Sequence, residues 1–240
     1  MSYEHIAPSL DPQPNSYGQL VGKRVPDWAG CQRLSDIELI GRTCRVVPYR
    51  SDHATPLFEA YAADDGRMWT YMPFGPFADA EALHASIMDY QQNKGFHTFV
   101  ILADGRAIGH LSYLRYDLAN GAVEIGGVSY SPALQRSTAA TEAQYLVMRH
   151  AFDHGYRRYE WKCDQLNGPS NRAALRLGFL FEGTFRNAVV RDGHRRDTCW
   201  YAIIVEDWPA VRQRLEAWLK PANFDDDGVQ KQALRVAAAV

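Results

Sequence analysis

Three consecutive segments, HTFVILAD, RAIGHLSYLRYD and GAVEIGGVSY, restrict what this chain can fold into more than any other feature. Each has the length and apolar patterning of a strand. The joints between them carry Asp104-Gly105 and Asn120-Gly121, pairs that close tight turns because both residues tolerate positive φ. An antiparallel meander is predicted. The next stretch breaks it. QRSTAATEA opens a helix near Thr138 whose buried face is Ala139, Ala143, Leu146, Val147 and Phe152, stopped by Gly155. YRRYEWKC then alternates as a strand with Tyr159, Trp161 and Cys163 on one side. A strand, a helix and a strand in succession imply a parallel pair at the sheet's centre.

The remaining segments extend the same pattern. RTCRVVPY reads as a strand and SDHATPLFEAYAAD as a helix. The segment WTYMPFGPF is a loop broken by Pro73 and Pro76, and Leu83, Ile87 and Tyr90 mark a helix that ends near Gly95. SNRAALRL is a short helix stopped by Gly178, and FEGTFRNAVV and DTCWYAIIV flank Arg191-Asp192-Gly193-His194 as a last hairpin. Trp208, Val211, Leu215 and Trp218 face one side of a closing helix. The fold class is mixed α/β: a mostly antiparallel twisted sheet, splayed at one parallel pair, with helices on both faces. Residues 1–40, rich in Pro, Gly and polar groups, read as an extended arm, 41–220 as the domain, and 221–240 as a tail with an acidic run and an alanine-rich end, expected to be disordered or a frayed helix.

Composition narrows the partners. With 240 residues, 46% of them hydrophobic, the chain can bury a core, and a net charge of −2 gives no footprint for nucleic acid or an anionic membrane. No apolar run approaches the roughly 20 residues that span a bilayer, and the N-terminus lacks the pattern of a signal peptide, so a cytoplasmic protein is expected. Cys31, Cys44, Cys163 and Cys199 include no CxxC pair and read as free thiols.

Two local features point to a ligand. The first backbone N–H groups of a helix lack internal partners and carry partial positive charge, so a helix front at Thr138 can take an anion, with Arg136 at the rim. Ser137, Ala139 and Ala140 are small enough for close approach, although an ordinary capped helix has the same composition. Gly126-Gly127 sits inside the strand before it, where glycine marks a bulge or a close backbone approach.

EIGGVSYSPALQRSTAATEA, WKCDQLNGPSNRAALRLGFLFEGTFR and RDTCWYAII, within residues 42–207, resemble the GCN5-related N-acetyltransferase superfamily, and within it the branch of ribosomal-protein N-terminal acetyltransferase-like enzymes. The resemblance implies acetyl-CoA as donor and direct transfer to an amine, either a small molecule or a protein N-terminus, with no metal. It implies a diphosphate loop of the form Q/R-x-x-G-x-G/A, here Gln135, Arg136, Ser137, Thr138, Ala139 and Ala140, with Thr138 in place of the first glycine. It further implies that Val128 and Tyr130 meet the pantetheine arm through their backbone and that Asn167 and Asn171 line the far side of the slot. The bulge would aim a backbone N–H at the oxyanion of the tetrahedral intermediate. Glu124 is the candidate base, with a structural ion pair as its alternative role. Ser170 is the candidate acid for the departing thiolate, and its alternative role is to cap the helix that follows. The branch's glutamate on the penultimate strand is replaced by Val189, so its acid–base pair does not carry over intact. Trp69, Tyr71, Met72 and Phe74 are candidates for the acceptor wall, with core filler as the alternative, and His110, His194 and Arg186 could face the same cleft.

Other signals are weaker. His150 and His154 have chelating spacing but lack the HExxH glutamate and a third ligand, so no metal is expected. GVSYS ends in serine where a nucleophile elbow has glycine. Cys163 follows its strand's apolar alternation and is expected to be buried, and Arg157-Arg158 and Arg195-Arg196 read as solvated pairs. The sequence leaves room for a homodimer. It also leaves open a second class, a CoA-binding or regulatory module that keeps the fold and no longer catalyses.

Overall fold

Turn chemistry fixes most of the sheet in the computed structural model, which describes residues 12–234. Contacts divide the chain after Gly30 into two units. In the first, β1 (Gln13–Pro14) and β2 (Leu20–Val21) pair antiparallel, and the Asn15 carboxamide oxygen accepts from the N–H groups of Tyr17 and Gln19 within the turn. The first eleven residues of the expected arm lie outside the described residues.

The second unit carries a sheet of eight strands among the described residues, in the order β3 (Leu39–Ile40), β4 (Arg45–Pro48), β5 (His97–Ala103), β6 (Arg106–Asp117), β7 (Ala122–Tyr130), β8 (Arg158–Asp164), β10 (His194–Ile204), β9 (Leu180–Arg191). Asp104 and Gly105 close the β5–β6 hairpin with φ of 49° and 74°, and Asp192 and Gly193 close β9–β10 with 49° and 75°. Both turns use the left-handed region in which these residue types are least strained. The β6–β7 joint is longer, and there the Asp117 carboxylate accepts from Asn120 N–H before Gly121 turns the chain at φ 67°. Among the described strands only β7 and β8 run parallel, as the sequence implied.

Helices cover both faces. α1 (Ala54–Tyr61), α2 (Ala80–Lys94) and the loop between them pack Leu57, Tyr61, Trp69, Leu83 and Ile87 onto one face. α3 (Thr138–Asp153), α4 (Gly168–Leu177) and α5 (Trp208–Leu219) contribute to the larger core on the other. Asp79 caps α2 by accepting from Ala82 N–H at 2.7 Å, and Gly95 and Gly178 end α2 and α4 in the left-handed conformation. A single buried face on α3 proves too narrow an expectation. Thr141, Glu142, Gln144 and His150 are buried as well, because residues 41–44 and α5 also pack around this helix.

Glu142 shows how the far side is held. Its carboxylate accepts from Arg42 N–H at 2.8 Å, Thr43 N–H at 2.5 Å and the Thr43 hydroxyl at 2.6 Å, and a Cβ on Gly41 would meet it at 2.6 Å. Glu142→Ala would strand three donors in a buried place. It is expected to lower unfolding free energy by about 2–4 kcal/mol, read from urea denaturation. A loss below about 0.5 kcal/mol would show that the loop finds other acceptors.

The tail expected to be disordered or frayed is ordered as far as it is described. Gln230 accepts from Trp218 Nε1–H at 2.9 Å, the Asn223 carboxamide donates to the carbonyls of Trp218 and Gln232, and Leu234 is buried. An indole N–H and a buried leucine give it the anchoring that composition alone did not suggest. The alanine-rich end, residues 235–240, lies outside the described residues. The edge strand β9 is exposed along most of its length, Val190 to 78%.

Candidate active site

The parallel pairing of β7 and β8 stops early. It covers Ala122–Ile125 against Arg158–Trp161 and then ends, so the two strands splay and leave a slot. The divergence starts where β7 bulges: His110 pairs Ser129 and Ser112 pairs Gly126, so Leu111 faces both Gly127 and Val128. Gly127 adopts φ 58° there. Past the bulge Ser131 N–H donates to Ile108 carbonyl at 3.1 Å, which turns the backbone of Ser129 and Ser131 toward β6. By alternation, Val128 and Tyr130 turn their backbone groups away from β6, toward the slot. The Tyr130 carbonyl accepts from the Gln135 side chain at 2.9 Å, and its hydroxyl accepts from Gln144 Nε2–H at 2.8 Å beneath α3.

The front of α3 is built tightly. Ser137 is the N-cap: its hydroxyl oxygen accepts from Ala140 N–H at 3.0 Å and its own N–H donates to Leu134 carbonyl at 3.2 Å. Gln135 N–H donates to Ser131 carbonyl. Of the N–H groups in 136–140, those of Arg136, Thr138 and Ala139 therefore make no hydrogen bond among the described residues, and two of them belong to the first turn of a sixteen-residue helix. Arg136 takes φ 61°, which bends the chain around this front without glycine.

Across the slot, Asn167 rather than Ser170 caps α4, its carboxamide oxygen accepting from Ser170 N–H at 3.1 Å. The cap role considered for Ser170 is thus filled one turn earlier, where Pro169 also suits the first turn. The Ser170 hydroxyl oxygen instead accepts from Trp161 Nε1–H at 3.0 Å. Asn171 has its carboxamide occupied, accepting from Tyr201 hydroxyl at 2.6 Å and from Cys163 Sγ–H at 3.1 Å, and donating to Asn167 carbonyl at 2.8 Å. Cys163 is buried as expected, its thiol pushed up to about 11 mainly by desolvation.

On the other side of the bulge a narrow cleft is lined by Phe74, Phe77, Tyr90, Phe96, His110 and Gly127, among others. Of the aromatic residues proposed for the acceptor wall only Phe74 lines it. Trp69 is buried edge-on against Tyr61 and Phe77 and seats the loop, while Tyr71 offers its carbonyl to Arg191 Nη1–H at 2.8 Å. Met72 packs on the core of this face, and His194 and Arg186 are exposed on the β9–β10 hairpin.

Glu124 stands beside the bulge, 4% exposed, and a Cβ on Gly126 would lie 3.3 Å from its Oε1. Its Oε2 lies 2.9 Å from Lys162 Nζ and 3.3 Å from Arg115 Nε. Burial raises its pKa, against the lowering pull of Lys162 and Arg115. Lys162 Nζ in turn sits 4.7 Å above the Trp200 ring. Val189, at the position of the branch's second carboxylate, is exposed on β9.

His110 is buried at the wall of this cleft, with Nδ1 2.7 Å from Tyr61 hydroxyl, and burial pulls its pKa from 6.5 down to about 4. An unfolded chain takes up this proton below pH 6.5 and the folded one only near pH 4. Stability is therefore full above the first value and lost as pH falls toward the second. A loss of about 2 kcal/mol from this residue is expected by pH ~5, before His150, similarly depressed, adds to it. Urea unfolding at neutral and acid pH checks this, and His110→Asn should flatten the curve. Equal slopes in the two proteins would contradict it.

Tyr90, Phe96, Ser112, Lys162 and Arg191 were not singled out from the sequence as site residues. The spacing of Tyr90 marks it only as a helix-face residue. Phe96 follows a helix-ending glycine and Ser112 lies inside a strand, so neither carries a local signal. Among the described residues no group of three or more His, Cys, Asp or Glu is placed to hold a metal. His154 Nδ1–H donates to His150 carbonyl at 2.7 Å.

A slot beside a bulged strand thus lies between a helix front with spare N–H groups and an adjoining cleft, an arrangement open to a ligand with an anionic end. Comparison with known proteins agrees. The GNAT acetyltransferase domain matches residues 44–180. The crystal structure of a GCN5-related N-acetyltransferase from Brucella melitensis superimposes with a TM-score of 0.84 at 37% identity, covering 88% of this chain and 97% of that one. An N-acetyltransferase of Bacillus subtilis, YnaD, is 26% identical over 60% of this chain and 84% of its own length. The ribosomal-protein-serine acetyltransferase of Escherichia coli is 24% identical over 65% of this chain and 89% of its own length. The chain belongs to the GNAT acetyltransferase family, and it is an N-acetyltransferase.

Proposed function

We propose that the protein transfers the acetyl group of acetyl-CoA directly to a primary amine, of a small molecule or a protein N-terminus, within a ternary complex. The observation that carries this reading is the pairing of two openings on either side of one bulge. The slot between β7 and β8 lies on one side, near the front of α3 where the N–H groups of Thr138 and Ala139 make no hydrogen bond among the described residues, and the aromatic cleft that Gly127 lines lies on the other. A diphosphate on the helix front and a pantetheine arm along Val128 and Tyr130 bring the thioester to the bulge. Arg136 adds a cation at the rim, while Gln135, Ser137 and Ala140 shape the loop through their internal hydrogen bonds. The acceptor enters through the cleft against Phe74, Phe77 and Tyr90, with Trp69 and Tyr71 supporting the loop behind.

The acceptor amine must be neutral to attack. Glu124, raised by burial and adjacent to Gly126, takes that proton directly or through one water, and Lys162 holds the carboxylate in place. The backbone at Gly126-Gly127 faces the developing oxyanion, and the Ser170 hydroxyl returns a proton to the leaving thiolate. Asn167 and Asn171 act by fixing the start of α4 and the end of β8.

Glu124→Gln is expected to lower kcat about 10–100-fold near neutral pH and to recover as pH approaches the acceptor's own pKa, where a base is no longer needed. Steady-state kinetics across pH with a panel of amines reads this. A uniform loss at every pH would assign Glu124 to the Lys162 pair alone.

A further inference from the structure

Arg195-Arg196 reads from the sequence as a solvated pair, and the structure parts its two members. Arg195 is exposed and pairs with Asp197 at 2.6 Å. Arg196 turns in: its side chain is 16% exposed, and its Nε is buried and makes no hydrogen bond among the described residues. One carboxylate oxygen, Asp164 Oδ2, stands 3.8 Å from it, while Asp164 Oδ1 accepts from Leu166 N–H at 2.8 Å. Arg191, across the hairpin turn, is a second partly buried cation. Its Nη1 donates to Tyr71 carbonyl at 2.8 Å, and no carboxylate among the described residues comes within ion-pair distance of it. Burial first, then Arg196, lower its pKa, so the two guanidinium groups stand in each other's field. Two partly buried cations around one carboxylate are costly unless another anion joins them.

The pair stands at the rim of the aromatic cleft. The loop that carries Tyr71 also gives the cleft Phe74 and Phe77. Tyr90, a further wall residue, donates its hydroxyl to Pro73 carbonyl at 3.1 Å and lies in the field of Arg191. Alternation along β8 puts Asp164 on the face of Lys162, the face on which Glu124 lies beside the bulge. Register gives the span. Trp200 pairs with Lys162, one step beyond the Ile125–Trp161 pair that ends the parallel ladder, so it is level with Gly126. Arg196 lies four residues further along β10 and two strands across from β7. At about 3.3 Å per residue and about 4.8 Å per strand, with the side chain reaching back, roughly 10–15 Å separates its charge from the bulge.

We propose that the acceptor is a peptide N-terminus with an acidic side chain at its third or fourth residue, and that Arg191 and Arg196 hold that carboxylate. The inference rests on the acceptor entering through the aromatic cleft, and it names the class of amine that enters. An extended peptide advances about 3.3 Å per residue, so a carboxylate at those positions reaches the pair while the terminal amine sits at the bulge. A free amino acid, whose amine and carboxylate share one carbon, is too short. Two guanidinium groups, Asp164 and one bound carboxylate sum to zero charge, and the guanidinium fork matches the two oxygens of a carboxylate.

Acetylation of peptide amides by the full chain, followed by thiol release from acetyl-CoA, tests this. The probes are Ala-Ala-Asp-Glu-Ala, Ala-Ala-Asn-Gln-Ala and Ala-Ala-Lys-Lys-Ala, with free glutamate as the short acceptor. The acidic peptide is expected to exceed the neutral one in kcat/KM at least about tenfold, mainly through KM. Arg196→Gln is expected to bring the two peptides together, and Arg196→Glu to turn the preference toward the lysine peptide. The ratio is read within each protein, so a smaller folded fraction of a variant cancels, and the wild-type comparison needs no variant. Equal kcat/KM for acidic and neutral peptides in the wild type would overturn the assignment and leave acetyl transfer intact. So would an acidic preference that persists in both Arg196→Gln and Arg191→Gln, or glutamate outpacing the acidic peptide. Turnover of no amine in a broad panel would instead defeat the transferase reading on which the inference rests.

Discussion

Thr138→Asp is expected to leave the protein folded as well as before and to deprive it of its coenzyme. Position 138 is the first residue of α3, where a carboxylate interacts favourably with the helix dipole, so thermal stability should hold or rise by about 0.5 kcal/mol. The same charge lies where a diphosphate is to bind. It competes for the N–H groups of Thr138 and Ala139 and repels the ligand, and the apparent KM for acetyl-CoA should rise about 100-fold, roughly 2.7 kcal/mol. The two readouts move in opposite directions, which a general loss of structure cannot imitate. Thr138→Ser, which keeps size and charge, should bind acetyl-CoA within a few-fold of the wild type. If Thr138→Asp used acetyl-CoA normally, the helix front would not be the phosphate site.

Gly127→Val carries the second large effect, on kcat. Gly127 sits at φ 58°, where a β-branched residue is strained by about 1–2 kcal/mol, and a Cβ there would meet the Phe96 ring at 3.1 Å. The fold can absorb that cost by shifting Phe96. The bulge cannot then keep its backbone geometry, and a donor misplaced from the oxyanion costs about 10²–10³ in kcat. The KM for acetyl-CoA should change much less, because the phosphate loop begins a full turn of chain later. Kinetics of Gly127→Val and of the milder Gly127→Ala read the split. A proportional rise in KM with unchanged kcat would place the bulge in coenzyme binding instead of catalysis.

Much of the fold was legible because its signals are local. Asp104-Gly105 and Asp192-Gly193 closed the hairpins they promised, Gly95 and Gly178 ended their helices, and Gly126-Gly127 marked the bulge. Long-range packing was less legible. The burial of Glu142 and Gln144 on α3 depends on residues 42–43 and on Tyr130, which no helical period encodes. Asn167 and Ser170 look equally suited to cap a helix, and only the path of the chain after β8 decides between them. The wall of the acceptor cleft was readable for Phe74, but Trp69 turned inward, since a large indole between two helices gains more from burial than from lining a cleft. The tail's order came from Gln230 meeting Trp218, a pair twelve residues apart with no sequence signature.

The crystal structure of the protein with CoA bound tests the central claim most directly. The account predicts diphosphate oxygens within about 3 Å of the Thr138 and Ala139 amide nitrogens and the pantetheine arm alongside Val128 and Tyr130. A coenzyme held elsewhere, with those two amides meeting only water, would contradict it.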